Sequence, residues 1–225
     1  MNQSVAPARC VGVVLAGGEA TRFSGRAKGL LEVGGRRIVD RVLEALAQAT
    51  SEQILVGKDV ALLERELPGL RVVADSTPLH SSLAGLHAAL TASAGAVLAV
   101  AWDMPFLSGP LLRAIREIGE KTAQAAIPEG PRGLEPLCAY FTSAAASVAG
   151  RQLDHGELRL GAFVESLPSY AIVPLDVVSR FGDPEVLFAN VNTPADLELA
   201  EMRAANGERR ASEYLDASPS TPERR

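Results

Sequence analysis

Short apolar runs alternate with stretches of helical period through the first 130 residues of the chain. The run at 11–15 (VGVVL) is unbroken and reads as a buried strand. Ile38, Val39, Val42, Leu43 and Leu46 then recur at intervals that place them on one face, which predicts a helix over 37–49. The same reading gives strands at 53–56, 70–74, 97–101 and 125–128, with helices at 60–67, 83–93 and 111–122 between them. Continuously apolar strands are covered on both faces, and strand–helix alternation builds a mostly parallel sheet. The expected fold class is therefore three-layer α/β/α with a doubly wound, Rossmann-like sheet. Beyond 130 the pattern loosens. It predicts a strand at 134–141, helices at 143–153 and 160–166, strands at 170–175 and 186–189, and a closing helix over 194–205 with Pro194 suited to its first turn. The tail at 206–225 is rich in Glu, Arg, Ser and Pro and is expected to be disordered.

Composition narrows the partners. At 225 residues the chain suits one domain that buries roughly 70% of its unfolded surface, so no metal or disulfide staple is needed. The 22 basic residues against 27 acidic ones leave a net charge of -5, which gives no electrostatic footprint for general nucleic-acid binding. Aromatic residues are 4% of the chain, too few for a stacking platform along single strands. Cys10 and Cys138 form no CxxC pair, and two cysteines make no disulfide framework. No apolar run approaches the ~20 residues that span a bilayer. The N-terminal MNQSVAPAR has no signal core, so a cytoplasmic location is expected.

The chemistry-bearing residues gather where predicted strands end. LAGGEATRFSGRAK at 15–28 follows the first strand, and ligands of open parallel sheets bind at the carboxyl ends of strands. Leu15 closes the strand, and Ala16, Gly17 and Gly18 let backbone N–H groups approach a ligand closely. Arg22 and Lys28 add two cations, a combination suited to a polyphosphate. The segment fits neither GxxxxGK[ST] nor GxGxxG. Read alone, it is equally an ordinary glycine-rich turn with surface cations.

Asp103 stands at the tip of the apolar strand at 97–101, where one carboxylate suffices for Mg2+ shared with phosphate oxygens and water. It could equally cap the following turn. Asp75, with Ala84 and Gly85 beyond it, could meet a ribose or base, or form a turn and a cap. Asn190 and Asn192 precede the last helix, where one orients the loop and the other reaches metal or phosphate, unless both merely cap the helix.

Taken in order, LAGGxxxR…K, Asp75 with LAG, WDMPFL and FANVNTP resemble the molybdenum cofactor guanylyltransferases (MobA-type) of the nucleotidyltransferase superfamily. The resemblance covers about residues 11–205. It implies transfer of GMP from GTP to the phosphate of molybdenum-loaded molybdopterin, with pyrophosphate released and Mg2+ as cofactor. Molybdenum-insertion proteins and molybdoenzymes are the implied protein partners. By the same resemblance Leu15, Ala16, Gly17, Gly18, Asp75 and Gly85 contact the nucleotide. Arg22 and Lys28 bind its phosphates, Asp103 holds the metal, and Asn192 is a further metal ligand.

A single domain over 1–205 is expected, with a nucleotide-binding half at about 10–130 and an acceptor-binding half at 131–205. Arg132, Arg151 and Arg159 are candidate contacts for the acceptor phosphate.

The chain departs from the family at several positions. Phe23 and Ser24 stand for Met-Gly, Ala27 for an acidic residue, and Ser81 and Ser82 for Gly-Pro. Gly57 stands for Asn, and Trp102 for a Cys beside the metal aspartate. The alternatives are a molybdopterin cytidylyltransferase, a sugar-phosphate nucleotidyltransferase, and a catalytically lapsed GTP-binding module.

Overall fold

The structure is a computed structural model that describes residues 9–17, 27–75, 81–93, 95–122 and 124–216. Ten strands and nine α-helices follow one another among these residues. The first half runs β1 (Cys10–Ala16), a 3-10 turn (Lys28–Leu30), β2 (Glu32–Val33), β3 (Arg36–Arg37), α1 (Ile38–Ala47), β4 (Glu52–Gly57), α2 (Val60–Glu66), β5 (Arg71–Ala74), α3 (Ser82–Ala92), β6 (Ala96–Ala101), α4 (Gly109–Thr122) and β7 (Ala125–Gly130). The second half adds β8 (Gly133–Leu134), β9 (Cys138–Phe141), α5 (Ala145–Asp154), α6 (Leu160–Ser166), β10 (Ala171–Val173), α7 (Leu175–Val178), α8 (Pro184–Leu187) and α9 (Pro194–Asp216).

The main sheet has the order β10-β7-β9-β6-β1-β4-β5, with β8 paired to β7. The pairs β1–β4, β1–β6, β4–β5 and β7–β10 are parallel. In this sheet, among the described residues, only β8 and β9 run against their neighbours. The expected mostly parallel sheet is therefore present, and strands from both halves share it. The chain leaves β1 through β4 to β5 and returns on the other side of β1 as β6. The strand order thus reverses between β1 and β6, which is where open α/β sheets bind ligands. Leu15 lies opposite Ala101 across that pair, so the two following loops leave the sheet side by side.

Alternate residues of each strand feed two apolar layers. Val14, Leu98 and Val100 pack with Ile38, Val42 and Leu46 of α1, Leu111 and Ile115 of α4, and Ala200 of α9. Val13, Leu15, Val97 and Ala99 pack on the opposite face with Leu86 and Leu90 of α3, Ala149 of α5 and Phe163 of α6. Cys10 and Cys138 are both buried free thiols. Among the described residues, no helix is long and apolar enough to cross a membrane.

Four expectations need correction. The apolar run at 186–189 is not a strand: Asp183 caps α8 by accepting the Glu185 N–H, and Pro184 opens it. The expected strand at 134–141 is split into β8 and β9, and Pro136 lies in the gap. The strand expected at 170–175 shortens to β10, ending before Pro174. The last helix runs to Asp216 instead of stopping at 205, because Ala, Glu and Arg are strong helix formers even without an apolar stripe.

Candidate active site

Three distant segments meet where the strand order reverses. Lys28 opens the 3-10 turn after the β1 loop, Asp103 follows β6, and Asn192 precedes α9. The Lys28 Nζ donates to Asn192 Oδ1 at 2.6 Å and lies 3.8 Å from Asp103 Oδ2. Both charged side chains are nearly buried, Lys28 at 10% exposure and Asp103 at 13%. Burial pushes the Asp103 carboxyl above the usual aspartate range, and the Lys28 charge offsets only part of that shift. A carboxylate that is costly to ionise here gains from a cation more than a solvated one would.

Backbone contacts fix this cluster. The Val191 N–H donates to the Asp103 carbonyl at 2.9 Å, which joins the β6 loop to the segment before α9. Asp196 Oδ2 accepts from the N–H groups of Asn192 (2.9 Å) and Thr193 (2.8 Å), while Thr193 Oγ1 accepts from the Asp196 N–H (3.2 Å). This reciprocal cap starts α9 and orients Asn192 at once. Burial raises the Asp196 carboxyl, but the Asn192 N–H, the Thr193 hydroxyl and N–H, and Lys28 outweigh it, leaving the group below the usual range. Asn190 Nδ2 donates to the Phe188 carbonyl at 3.1 Å and so shapes the loop that Asn192 uses.

Trp102 secures the other side. Its Nε1 donates to the Gly17 carbonyl at 3.1 Å, and its backbone N–H to Leu15 at 3.3 Å. A Cβ on Gly29 would overlap the indole, so a glycine beside Lys28 is what admits the bulky ring. Two other departures have local causes. A side chain at Gly57 would come within 2.7 Å of Leu63 and 3.2 Å of Ala16. Ser81 Oγ accepts the Ala84 N–H at 3.1 Å and caps α3.

A cavity of about 320 Å3 opens beside the cluster, with Asn190, Asn192 and Asp196 on one wall. Arg132, Glu135, Glu185 and Arg203 supply its charged lining, and Phe188 its aromatic one. Burial raises the Glu135 carboxyl above the usual glutamate range, against the pull of Arg132. Pro131 and Arg132 form the tip between β7 and β8, where Gly133 adopts a φ of 123°.

The structure brings together Leu15, Ala16, Gly17, Lys28, Asp103 and Asn192, and it puts Arg132 on the adjoining cavity. Asp75 follows β5, its N–H donating to the Gly57 carbonyl at 3.0 Å. Gly85 lies in the first turns of α3, where a Cβ would meet Leu15 at 3.6 Å. Arg159 is not on the cavity: it is an exposed residue held by Glu157 at 2.9 Å. Arg151, on α5, is likewise exposed and outside the lining. Gly18 and Arg22 lie outside the described residues. Sequence reasoning missed Asp196, Glu135 and Arg203. The TxxD spacing of a cap announces the first, and no local pattern announces the others.

Comparison with known proteins bears on this geometry. The MobA-like NTP transferase domain family matches residues 12–169. The probable molybdenum cofactor guanylyltransferase of Pelotomaculum thermopropionicum is 36% identical over 205 residues, covering 88% of this chain and 95% of that protein. The molybdenum cofactor guanylyltransferase of Desulfosudis oleivorans is 32% identical over 201 residues, covering 87% and 96%. The crystal structure of molybdopterin-guanine dinucleotide biosynthesis protein A from Archaeoglobus fulgidus superposes with a TM-score of 0.76 at 29% identity, over 87% of this chain and 99% of that one.

Proposed function

The chain belongs to the MobA-like NTP transferase family, and from that premise we propose that it transfers GMP from GTP to the phosphate of molybdenum-loaded molybdopterin, releasing pyrophosphate, with Mg2+ as cofactor. Nucleotidyl transfer is the family's chemistry. The names of the relatives favour guanine as the base and molybdopterin as the acceptor. The observation that carries the reading is the buried contact of Lys28 Nζ with Asn192 Oδ1 beside Asp103, at the reversal of strand order.

In the proposed reaction an acceptor phosphate oxygen attacks the α-phosphorus of GTP. The bond between that phosphorus and the bridging oxygen to the β-phosphate breaks, and pyrophosphate leaves with the electron pair. A phosphate monoester is largely dianionic near neutrality, so no side chain has to remove a proton from the nucleophile. What the protein supplies is position and charge. Lys28, held by Asn192, meets negative charge on the phosphates. The Gly17 carbonyl is tied back to Trp102, which leaves the start of the β1 loop in a fixed path beside Asp103.

The Asp103 carboxylate and the second lone pair of the Asn192 amide oxygen are hard oxygen donors of the kind Mg2+ takes, with phosphate oxygens and water to complete the set. The raised proton affinity of Asp103 reports the same desolvation that such an ion relieves. When bound, Mg2+ would neutralise charge on the α-phosphate.

The test is product formation by mass spectrometry with molybdenum-loaded molybdopterin, Mg2+ and each of GTP, CTP, ATP and UTP. A guanine dinucleotide from GTP alone, abolished in Asp103→Ala and slowed at least ~100-fold in Lys28→Ala, is expected. A cytosine product would move the chain to the cytidylyl activity. GTP binding with no product from any nucleotide, while a control enzyme consumes the same acceptor, would make it a binding module.

A further inference from the structure

Beside the Lys28–Asp103–Asn192 cluster, the cavity of about 320 Å3 is of the size that takes small organic ligands. Its lining comes entirely from the second half of the chain, between Pro131 and Arg203. It therefore lies on the β6–β7 side of Asp103, whereas Asp75 and Gly85 lie toward β5 and α3 on the other side. Because β7 runs in the same direction as β6, the Pro131–Arg132 tip stands at the same edge of the sheet as Asp103.

Glu135 is the unusual group there. Its carboxylate is half-buried on the cavity wall, yet among the described residues no hydrogen bond or ion pair reaches it. A Cβ on Gly130 would sit 2.5 Å from Glu135 Oε1, so the glycine is what leaves room for the carboxylate at this place. A half-buried carboxylate that no protein donor engages can accept a ligand with two parallel N–H groups in place of water, with Arg132 the nearby cation. Buried Phe188 offers such a ligand an aromatic neighbour.

We propose that this cavity is the acceptor subsite and that Glu135 selects the pterin by accepting the N3–H and 2-amino donors of its 2-amino-4-oxo edge. The inference rests on the acceptor reading given under Proposed function. The guanine of GTP carries the same donor pair, so the experiment separates the two sources. The cavity's position across Asp103 from Asp75 and Gly85 favours the pterin.

The test uses two fluorescent probes, a 2-amino-4-oxopteridine and a 2,4-dioxopteridine, each with a hydroxymethyl phosphate at C6. A carboxylate matches the first and repels the 2-oxo group of the second, whereas a glutamine amide accepts from N3–H and donates to the 2-oxo group. Wild-type protein should prefer the amino probe by at least ~10-fold, and Glu135→Gln should erase or reverse that preference. Glu135→Asp, which withdraws the carboxylate by one methylene, should weaken the amino probe without reversing the order. GTP affinity should stay unchanged in both variants. A wild-type preference retained in Glu135→Gln overturns the inference. So does a loss of GTP affinity equal to the loss of pteridine affinity, which would put guanine in the cavity. Wild-type protein that binds GTP but binds neither pteridine better than inorganic phosphate overturns the acceptor reading itself, and the role of Glu135 with it.

Discussion

Burial raises the proton affinity of the Asp103 carboxyl, and that has a measurable sign. Its native pKa is raised above the ordinary value of 3.8, so the native state binds more protons than the unfolded state between that value and the raised one. Its contribution to stability is therefore greatest below the unfolded pKa and is lost as pH rises through the native one. Asp103→Asn removes this titration. Losing the partner of Lys28 adds an offset but no slope in that window. Calorimetry of the metal-free proteins should show the variant gaining on wild type from about pH 4 upward, then holding a constant difference once Asp103 is ionised. A difference that is flat or falls with pH would contradict the assignment. The same residue shows what the sequence carried and what it lacked. An aspartate after the apolar strand at 97–101 was legible as a candidate, but its burial against Lys28 was not, because Asn192, which fixes Lys28, comes from 164 residues downstream. Trp102 reads in the sequence as a bulky departure. In the fold it is an anchor for Gly17, and the reason is Gly29, a residue without a side chain to advertise the fit.

Among the elements, the start of α9 does two jobs with one carboxylate. Thr193 and Asp196 cap the helix reciprocally, and Asp196 also holds the Asn192 N–H. The two roles separate by substitution. Thr193→Ala removes one cap bond and should lower stability by about 1 kcal/mol with little change in turnover. Asp196→Ala should cost a similar amount and also release Asn192. Since small displacements of a positioning group are expensive in rate, turnover should fall by about tenfold or more. Chemical denaturation and steady-state assays on the pair check this, and equal effects on turnover would mean that Asp196 is only a cap. This end of the helix was readable, since Pro194 and Thr193 both signal a start. The preceding element was not. Val186, Leu187 and Phe188 have strand-like apolarity, but Asp183 and Pro184 nucleate a single helical turn, and so short a run carries no period to distinguish the two. The β2–β3 hairpin, of two residues per strand, was equally below the resolution of periodicity, although Gly34 and Gly35, both at positive φ, mark its turn. Its Gly34 N–H donates to Glu201 at 3.0 Å, a second tie between the Lys28 region and α9.

At the scale of the whole molecule, alternating strands and helices predict a parallel sheet but not the order of its strands. That order, with the chain returning across β1 to form β6, is what sets residues 28, 103 and 192 beside one another. Because both halves of the chain build the cluster, a ligand that engages it should bind only the folded protein and so stabilise the molecule globally. At about 100 times its Kd a nucleotide adds about 2.7 kcal/mol. For a domain of this size that corresponds to a rise in Tm of about 5–10 °C. Mg2+ with GTP should produce this rise in wild-type protein. In Lys28→Ala and in Asp103→Ala it should fall to less than half at the same concentrations, since each would lose a contact proposed for phosphate or metal while the sheet is retained. The proposed acceptor side gives the counter-experiment: Glu135→Gln would leave the proposed nucleotide contacts alone, so its rise with Mg2+ and GTP should match that of wild type. A full rise surviving in both the Lys28 and Asp103 variants would place the nucleotide away from the reversal of strand order, whatever the activity of the wild-type enzyme.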